Sequence, residues 1–399
     1  MRTVRHRCDV VVVGARCAGS ATAMLLGRMG HDVVLVDRAT FPRDTLSTHG
    51  IARGGVVQLS RWGLLDAVLA SGAPAVRQAT FRVGDDELVR PIKARAGVDL
   101  LVAPRRHILD SLLAQASRDA GADVRLGTTV TGLKRDGTGR VFGVQATDAS
   151  GAPVELSARF VIGADGLRSK VARLVEAPLL VSRSRNSAAF YTYASDIDAV
   201  GHEFHVDAAG MAGVFPTHGG EACVWLCCRS SNITSLLAAG SGRAAALVDA
   251  IAEVSPSLAG RLRRGRITSP VRGTVGLPNH VRQAVGPGWA LVGDAGYHRD
   301  PVTGHGITDA FRDAELLARS LDAVLQGRAT DALADYQQQR DTALRDIFAL
   351  TCALADYPAT SRFVQLQKEL GAAIETEADA LAAQPAQPLY VGRSASAAA

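Results

Sequence analysis

Residues 8–13, apolar apart from Asp9, form a run that stops at Gly14, which predicts a strand buried on both faces of a parallel sheet. Gly14 to Gly19 is a turn of small residues. Over 18–29 the period lengthens: Ala21, Leu25 and Met29 share one helical face, and Gly30 stops the helix. A second apolar run, 33–36, ends at Asp37, so the first segment reads as a βαβ unit. Residues 40–49 read as a loop, followed by helices over 50–59 and 62–69. Residues 85–99 read as irregular chain or a polar hairpin. An amphipathic helix is predicted over 105–119, with Ile108, Leu109, Leu112, Leu113 and Ala116 on its face. Short strands follow at 124–126, 130–133, 141–147 and 154–156, and a third buried run at 160–163 leads into Ala164-Asp165-Gly166.

From about Asn186 to Val275 the pattern alternates, and aromatic and β-branched residues concentrate there, which predicts an antiparallel sheet. A helical interlude over 235–263 interrupts it. Residues 289–292 are again a buried strand, ending at Gly293-Asp294. Helices are predicted over 306–325 and 332–355, and the Ala/Pro/Ser-rich stretch 380–399 reads as a disordered tail.

Composition changes this picture little. A chain of 399 residues, 47% hydrophobic and 21% charged, suits a globular protein of two joined domains. A net charge of +5 favours anionic ligands, but the arginines are scattered without an aromatic-interleaved patch, so nucleic acid is not an expected partner. No apolar run reaches the length of a membrane span, and the amino terminus does not read as a signal peptide. Six cysteines show no zinc spacing, which fits reduced thiols in a cytoplasmic protein; no metal is expected.

The chemistry begins at Gly14-Ala15-Arg16-Cys17-Ala18-Gly19, which departs from G-x-G-x-x-G by Arg16 at the middle glycine. A helix N-terminus there offers N–H groups to a pyrophosphate, and Asp37 can accept from ribose hydroxyls. Arg16 either adds a positive group beside the pyrophosphate or points to solvent. Two further stretches join it: Gly163-Ala164-Asp165-Gly166-Leu167-Arg168-Ser169, and the run from Gly293-Asp294-Ala295 through Asp300-Pro301 to Gly304-His305-Gly306-Ile307.

Together these three resemble the class A flavoprotein monooxygenases typified by para-hydroxybenzoate hydroxylase, near the geranylgeranyl reductase-like oxidoreductases. The resemblance covers about residues 8–325 and is weakest in the middle sheet. It implies an α/β fold, with a Rossmann-like FAD-binding domain interrupted by a mainly antiparallel substrate domain. The implied boundaries are 1–80, 105–180 and 281–328 for the FAD domain, 81–104 and 181–280 for the substrate domain, 329–380 for C-terminal helices and 381–399 for the tail. FAD is the implied cofactor, with NADPH or NADH as reductant and oxygen as co-substrate. The implied FAD residues are Gly14, Ala15, Arg16, Ala18, Gly19, Asp37, Arg38, Arg105, Val130, Asp165, Gly166, Asp294, Pro301, Gly304, Gly306 and Ile307. Phe215-Pro216 resembles the family's turn beside the flavin. The sequence departs from the family at Tyr297, Asp300 and Ala172.

In such proteins NADPH reduces FAD, oxygen gives a C4a-hydroperoxide, and its distal oxygen passes to the substrate. His49, His298 and Asp300 are the candidate catalytic groups, with His305 beside them; each also fits a purely structural role. Tyr191, Tyr193, His205, Phe215, Pro216 and Trp225 either line a pocket or pack a core. The expected activity is hydroxylation or epoxidation of an aromatic or polyketide-like small molecule, by a monomer or homodimer. Reduction of carbon–carbon double bonds is the first alternative. A halogenase is disfavoured because Gly213-Val214-Phe215-Pro216 stands where a W-x-W-x-I-P signature would lie, and a non-redox cyclase is a further option.

Overall fold

The computed structural model describes residues 4–183 and 186–385. Its first sheet runs Val285–Gly286, Trp289–Leu291, Pro153–Gly163, Val4–Val13, Val33–Asp37, Asp123–Leu126. All neighbours from Trp289–Leu291 onward are parallel, and the β-branched run at residues 10–13 is fully enclosed because strands flank it on both sides. The meander Thr129–Arg135 and Val141–Thr147 joins through Pro153–Gly163, which is one long strand where the sequence pattern suggests two. Helices Cys17–Arg28, Arg106–Asp119 and Gly306–Leu325 cover one face, and Arg53–Arg61 packs outside them. That helix starts three residues later than predicted, because Ile51 is held in a bridge to Val102.

Register decides where the chemistry lies. Val13 pairs with Val36 and with Gly163, and Gly163 pairs with Leu291. Gly14, Asp37, Asp165 and Asp294 therefore leave the sheet together at its carboxyl edge, where ligands bind in open α/β sheets.

The second sheet runs Arg266–Ile267, Ser187–Ser195, Ala222–Arg229, Gly210–Pro216, His202–Asp207, Gln78–Val83, Asp86–Pro91, with Arg272–Val275 also on Ser187–Ser195. Gln78–Val83 is a strand the sequence pattern does not reveal; it pairs in parallel with His202–Asp207 and closes a hairpin with Asp86–Pro91. The helical interlude breaks into Thr234–Ala238, Arg243–Ala252 and Pro256–Arg264, the last started by Ser255, whose hydroxyl accepts from the Leu258 N–H, and by Pro256. These helices cover one face of the sheet. The other face meets Ala332–Ala355 and Thr360–Ala382. The last helix corrects the sequence reading: it is 23 residues long and carries helix beyond residue 380, because Phe363, Leu366, Leu370, Ala378 and Leu381 bury one stripe. The rest of the expected tail, 386–399, lies outside the described residues.

Two glycines make the crossing of turn and strand possible. At Gly14 φ is +106°, and a Cβ would lie 2.4 Å from the Ala164 carbonyl oxygen. At Gly19 a Cβ would lie 1.7 Å from the Gly14 oxygen. Gly19→Ala is expected to destabilise the protein by at least about 2 kcal/mol, read as a lower denaturation midpoint at unchanged m-value. An unchanged midpoint would show that the turn relaxes freely.

Candidate active site

The turn after the first strand is tied to the second. Asp37 accepts from the Ala15 N–H at 2.8 Å and from the Ala39 N–H at 2.7 Å, so its carboxylate holds residues 14–16 in place. No side chain caps helix Cys17–Arg28, and the preceding residue, Arg16, is half-buried, so the first-turn N–H groups stay open to an anion. Ala18 and Gly19 lie in that first turn, whereas Arg38 is exposed. Val130 packs in the apolar cluster with Val34 and Val36. Asp165 is occupied within its own turn, accepting from the Ser169 hydroxyl and from the Lys170 N–H at 2.6 Å; Gly166 follows at φ +78°.

Arg105 does not face this turn. Its guanidinium pairs with Asp44 and Glu221, each at 2.9 Å, and lies 3.5 Å over the Tyr193 ring. Its extended backbone (φ −55°, ψ 135°) precedes the helix and sends it toward the second sheet. The next residue, Arg106, is buried on Asp110 at 3.0 Å. Burial and neighbouring Arg106 lower the Arg16 pKa, and Arg106 also acts on Asp294. Two adjacent arginines at a helix start are visible in the sequence; which one turns inward is a matter of cap geometry.

At the other end, Asp294 sits in the turn Gly293–Ala295. It is exposed, yet protein surrounds it, so it lines a concavity. That crowding raises its carboxyl above the usual range; Asp309 acts in the same sense, and His298, Arg106 and Arg299 act against it. His298 is buried, its Nδ1 2.6 Å from the Pro278 carbonyl. Asp300 is committed to structure: it accepts from the Val302 N–H at 3.0 Å and from the Ser187 hydroxyl, and its own N–H donates to Asn279 at 2.7 Å. It thereby caps the turn Pro301–Thr303, and Gly304 (φ +61°) closes it. Helix Gly306–Leu325 then begins with no side-chain cap, and Ile307 lies in its first turn.

Beneath that turn lies a buried ion network. Arg312 pairs with Asp309 at 3.0 Å and Glu377 at 2.8 Å, and donates to the Tyr297 hydroxyl at 2.6 Å; Arg299 pairs with Asp309. Glu377 also bonds His305 Nε2. His305, Asp309 and Glu377 are close enough together to hold a metal, but two guanidiniums already neutralise the carboxylates.

The aromatic residues divide by face. Tyr191, Tyr193, Phe215 and Trp225 project together toward the C-terminal helices, as strand alternation requires. His205 is a correction: alternation turns it to the opposite face, where it bonds Ser255 at 2.8 Å and Glu203. Pro216 ends its strand, paired with Ala222. His49 joins the aromatic face instead. It has φ +67°, stacks on Tyr193 with centroids 5.5 Å apart and 5° between planes, and its Nε2 bonds the Tyr193 hydroxyl. Burial, reinforced by Arg106, pushes its pKa down to about 3, and burial raises that of Tyr193. His49 Nδ1 has no hydrogen-bond partner among the described residues. Among the three predicted catalytic groups, His49 packs on this face, and Asp300 reaches it through the Ser187 hydroxyl, which shares the alternation of Tyr191 and Tyr193.

A family model for the FAD binding domain matches residues 7–235. The chain belongs to the FAD-binding domain family. This flavoprotein is 30% identical over 364 residues to a menaquinone reductase of Mycolicibacterium smegmatis, an alignment covering 86% of this chain and 81% of the relative. It is 26% identical over 354 residues to a digeranylgeranylglycerophospholipid reductase of Methanocella arvoryzae, covering 86% and 84%. In fold it is similar to PqsL, a probable FAD-dependent monooxygenase from Pseudomonas aeruginosa also solved with 2-aminobenzoylacetate; the first of these structures has a TM-score of 0.75 at 23% identity, covering 91% of this chain and all of that one. It is thus an FAD-dependent oxidoreductase. The residues present fit the cofactor: an uncapped helix N-terminus with no Cβ at Gly14 or Gly19, and an exposed acceptor at Asp294.

Two outcomes follow. Asp294→Ala is expected to lose at least about tenfold in FAD retention, and His298→Ala markedly less, measured as bound flavin after gel filtration; equal retention would remove the role assigned to Asp294. His49 and His202 are both depressed to about 3 by burial. An unfolded histidine takes up a proton near pH 6.5, so the unfolded chain binds more protons between about 6.5 and 3. Their contribution is complete above pH 6.5 and is lost as pH falls through that window. Denaturation midpoints should drop from pH 6.5 to pH 4, with a shallower slope in His202→Leu; equal slopes would refute the assignment.

Proposed function

We propose that this flavoprotein reduces a carbon–carbon double bond of an apolar, unsaturated small molecule. The buried pair His49–Tyr193 on the aromatic face carries the reading. Two relatives named as reductases, aligned over 86% of this chain, support it. Gly14–Gly19 and Asp37 would hold the adenylate end of FAD, and Asp294 with the turn before Ile307 its flavin end. When bound and reduced by NADPH or NADH, FAD would supply a hydride, two electrons and one proton, to a substrate carbon. The neighbouring carbon then needs a second proton, and Tyr193 Oη holds one. Burial keeps the phenol protonated but makes it a weaker acid; Arg105 over the ring acts against that by offsetting the charge left when the proton departs, and reprotonation would follow product release. His49 orients the hydroxyl. With its pKa near 3 it is a weak base at neutral pH, which disfavours deprotonation of a phenolic substrate.

Oxygen insertion into the same substrate is the second reading. The sealing of Tyr191, Tyr193, Phe215 and Trp225 from water, each at most 4% exposed, favours it.

Turnover of menaquinone and a panel of unsaturated apolar molecules with NADPH separates the two. Reduction proceeds under strict anaerobiosis, and Tyr193→Phe lowers kcat at least about a hundredfold with FAD binding intact. Turnover that stops without oxygen and incorporates labelled oxygen would overturn reduction and establish oxygenation.

A further inference from the structure

Helix Thr360–Ala382 spans the site in two halves. Its early turns are apolar: Phe363, Leu366 and Leu370 are buried against the face that carries Tyr191, Tyr193, Phe215 and Trp225. Its late turns carry three acids. Glu375 pairs with Arg53 at 2.9 Å, Asp379 with Arg95 at 2.6 Å, and Glu377 with His305 and Arg312. Arg53 opens the helix that follows the His49 loop, and His305 immediately precedes helix Gly306–Leu325. One short stretch of helix therefore grips both flanks of the reacting end.

The three acids are not equivalent. Glu375 and Asp379 lie one turn apart on the same side, with side chains 30% and 48% exposed. Glu377, rotated to the other side, is 9% exposed. Burial alone would raise its carboxyl, but the His305 contact and Arg312 hold it well below the usual range, so it is an anion in the folded protein. Gly54 allows the close approach: a Cβ there would meet Leu381 at 2.9 Å. Across the contact, His305 is 1% exposed, and its Nδ1 has no partner among the described residues. Glu377 is thus the group that fixes the ring.

We propose that Glu377 is a positioning residue for the cofactor: through His305 it holds the Gly304–Gly306 turn in the geometry that receives the flavin, so the C-terminal helix is part of the FAD site. The assignment rests on the reading of that turn as the flavin end, not on the reaction catalysed. Sequence motifs do not reveal it, because Glu377 lies 72 residues beyond His305 on an amphipathic helix.

The test is made on the full-length protein without turnover. FAD affinity is measured by flavin fluorescence titration, and amide exchange is followed for the peptide holding residues 300–310. Glu377→Gln is expected to weaken FAD about tenfold and to speed exchange at the turn. Arg362→Gln, which breaks an exposed pair with Glu369 at 3.2 Å on the same helix, should change neither. Glu377→Asp should recover part of the affinity, and His305→Asn should reproduce the loss seen in Glu377→Gln. Wild-type affinity with unchanged exchange in Glu377→Gln overturns the proposal, as does a loss in Glu377→Gln without one in His305→Asn. If Glu377→Gln does not fold, His305→Asn decides by the same two readouts. Loss of affinity with inactive reductase assays would sink the proposed reaction and leave this assignment standing.

Discussion

The constraint on which the cofactor edge depends is the close packing of the Gly14–Gly19 turn on itself and on the strand end at Ala164. The first helix can start at the sheet edge only because neither glycine has a Cβ. Parallel register does the rest. With Val13 level with Val36 and Gly163, and Gly163 level with Leu291, no loop has to carry a functional group far from the sheet. The acids Asp37, Asp165 and Asp294 emerge along one edge of four consecutive strands, although long stretches of sequence separate them. They then serve different ends. Asp37 spends its oxygens on backbone N–H groups and Asp165 on the Ser169 hydroxyl and backbone N–H groups, whereas Asp294 stays open.

The same division explains how the site tolerates its departures from the family pattern. Asp300 keeps the turn closed, since its carboxylate caps the residues that follow. The Tyr297 hydroxyl is enclosed by Arg312 and the buried ion network rather than by solvent. Such a network adds little net stability, because each buried charge must first be taken out of water.

The cofactor half was legible in the sequence because glycines and strand-end acids are local signals. Apolar runs located the parallel strands to within a few residues. What stayed hidden was non-local. Gln78–Val83 carries Thr80 and Arg82 among its apolar positions, and only its partner strands make it a strand. His205 and Trp225 look alike as pocket residues until register assigns them opposite faces. Arg105 and Arg106 are neighbours in sequence and diverge at the helix cap. Thr360–Ala382 has the spacing of a helix, but its acids acquire meaning only from cations brought close by the fold.

The topology also has a consequence for biosynthesis. Chains emerge amino end first. The first sheet gains Trp289–Leu291, its last parallel strand, only after the whole second sheet has been made. The second sheet in turn needs Gln78–Val83, which leaves the ribosome before most of the first. Neither half can be finished alone, so contacts of long sequence separation dominate assembly. The Gly14–Gly19 turn is therefore made early, but the strand end it packs on at Ala164 and the turn at Asp294 come late.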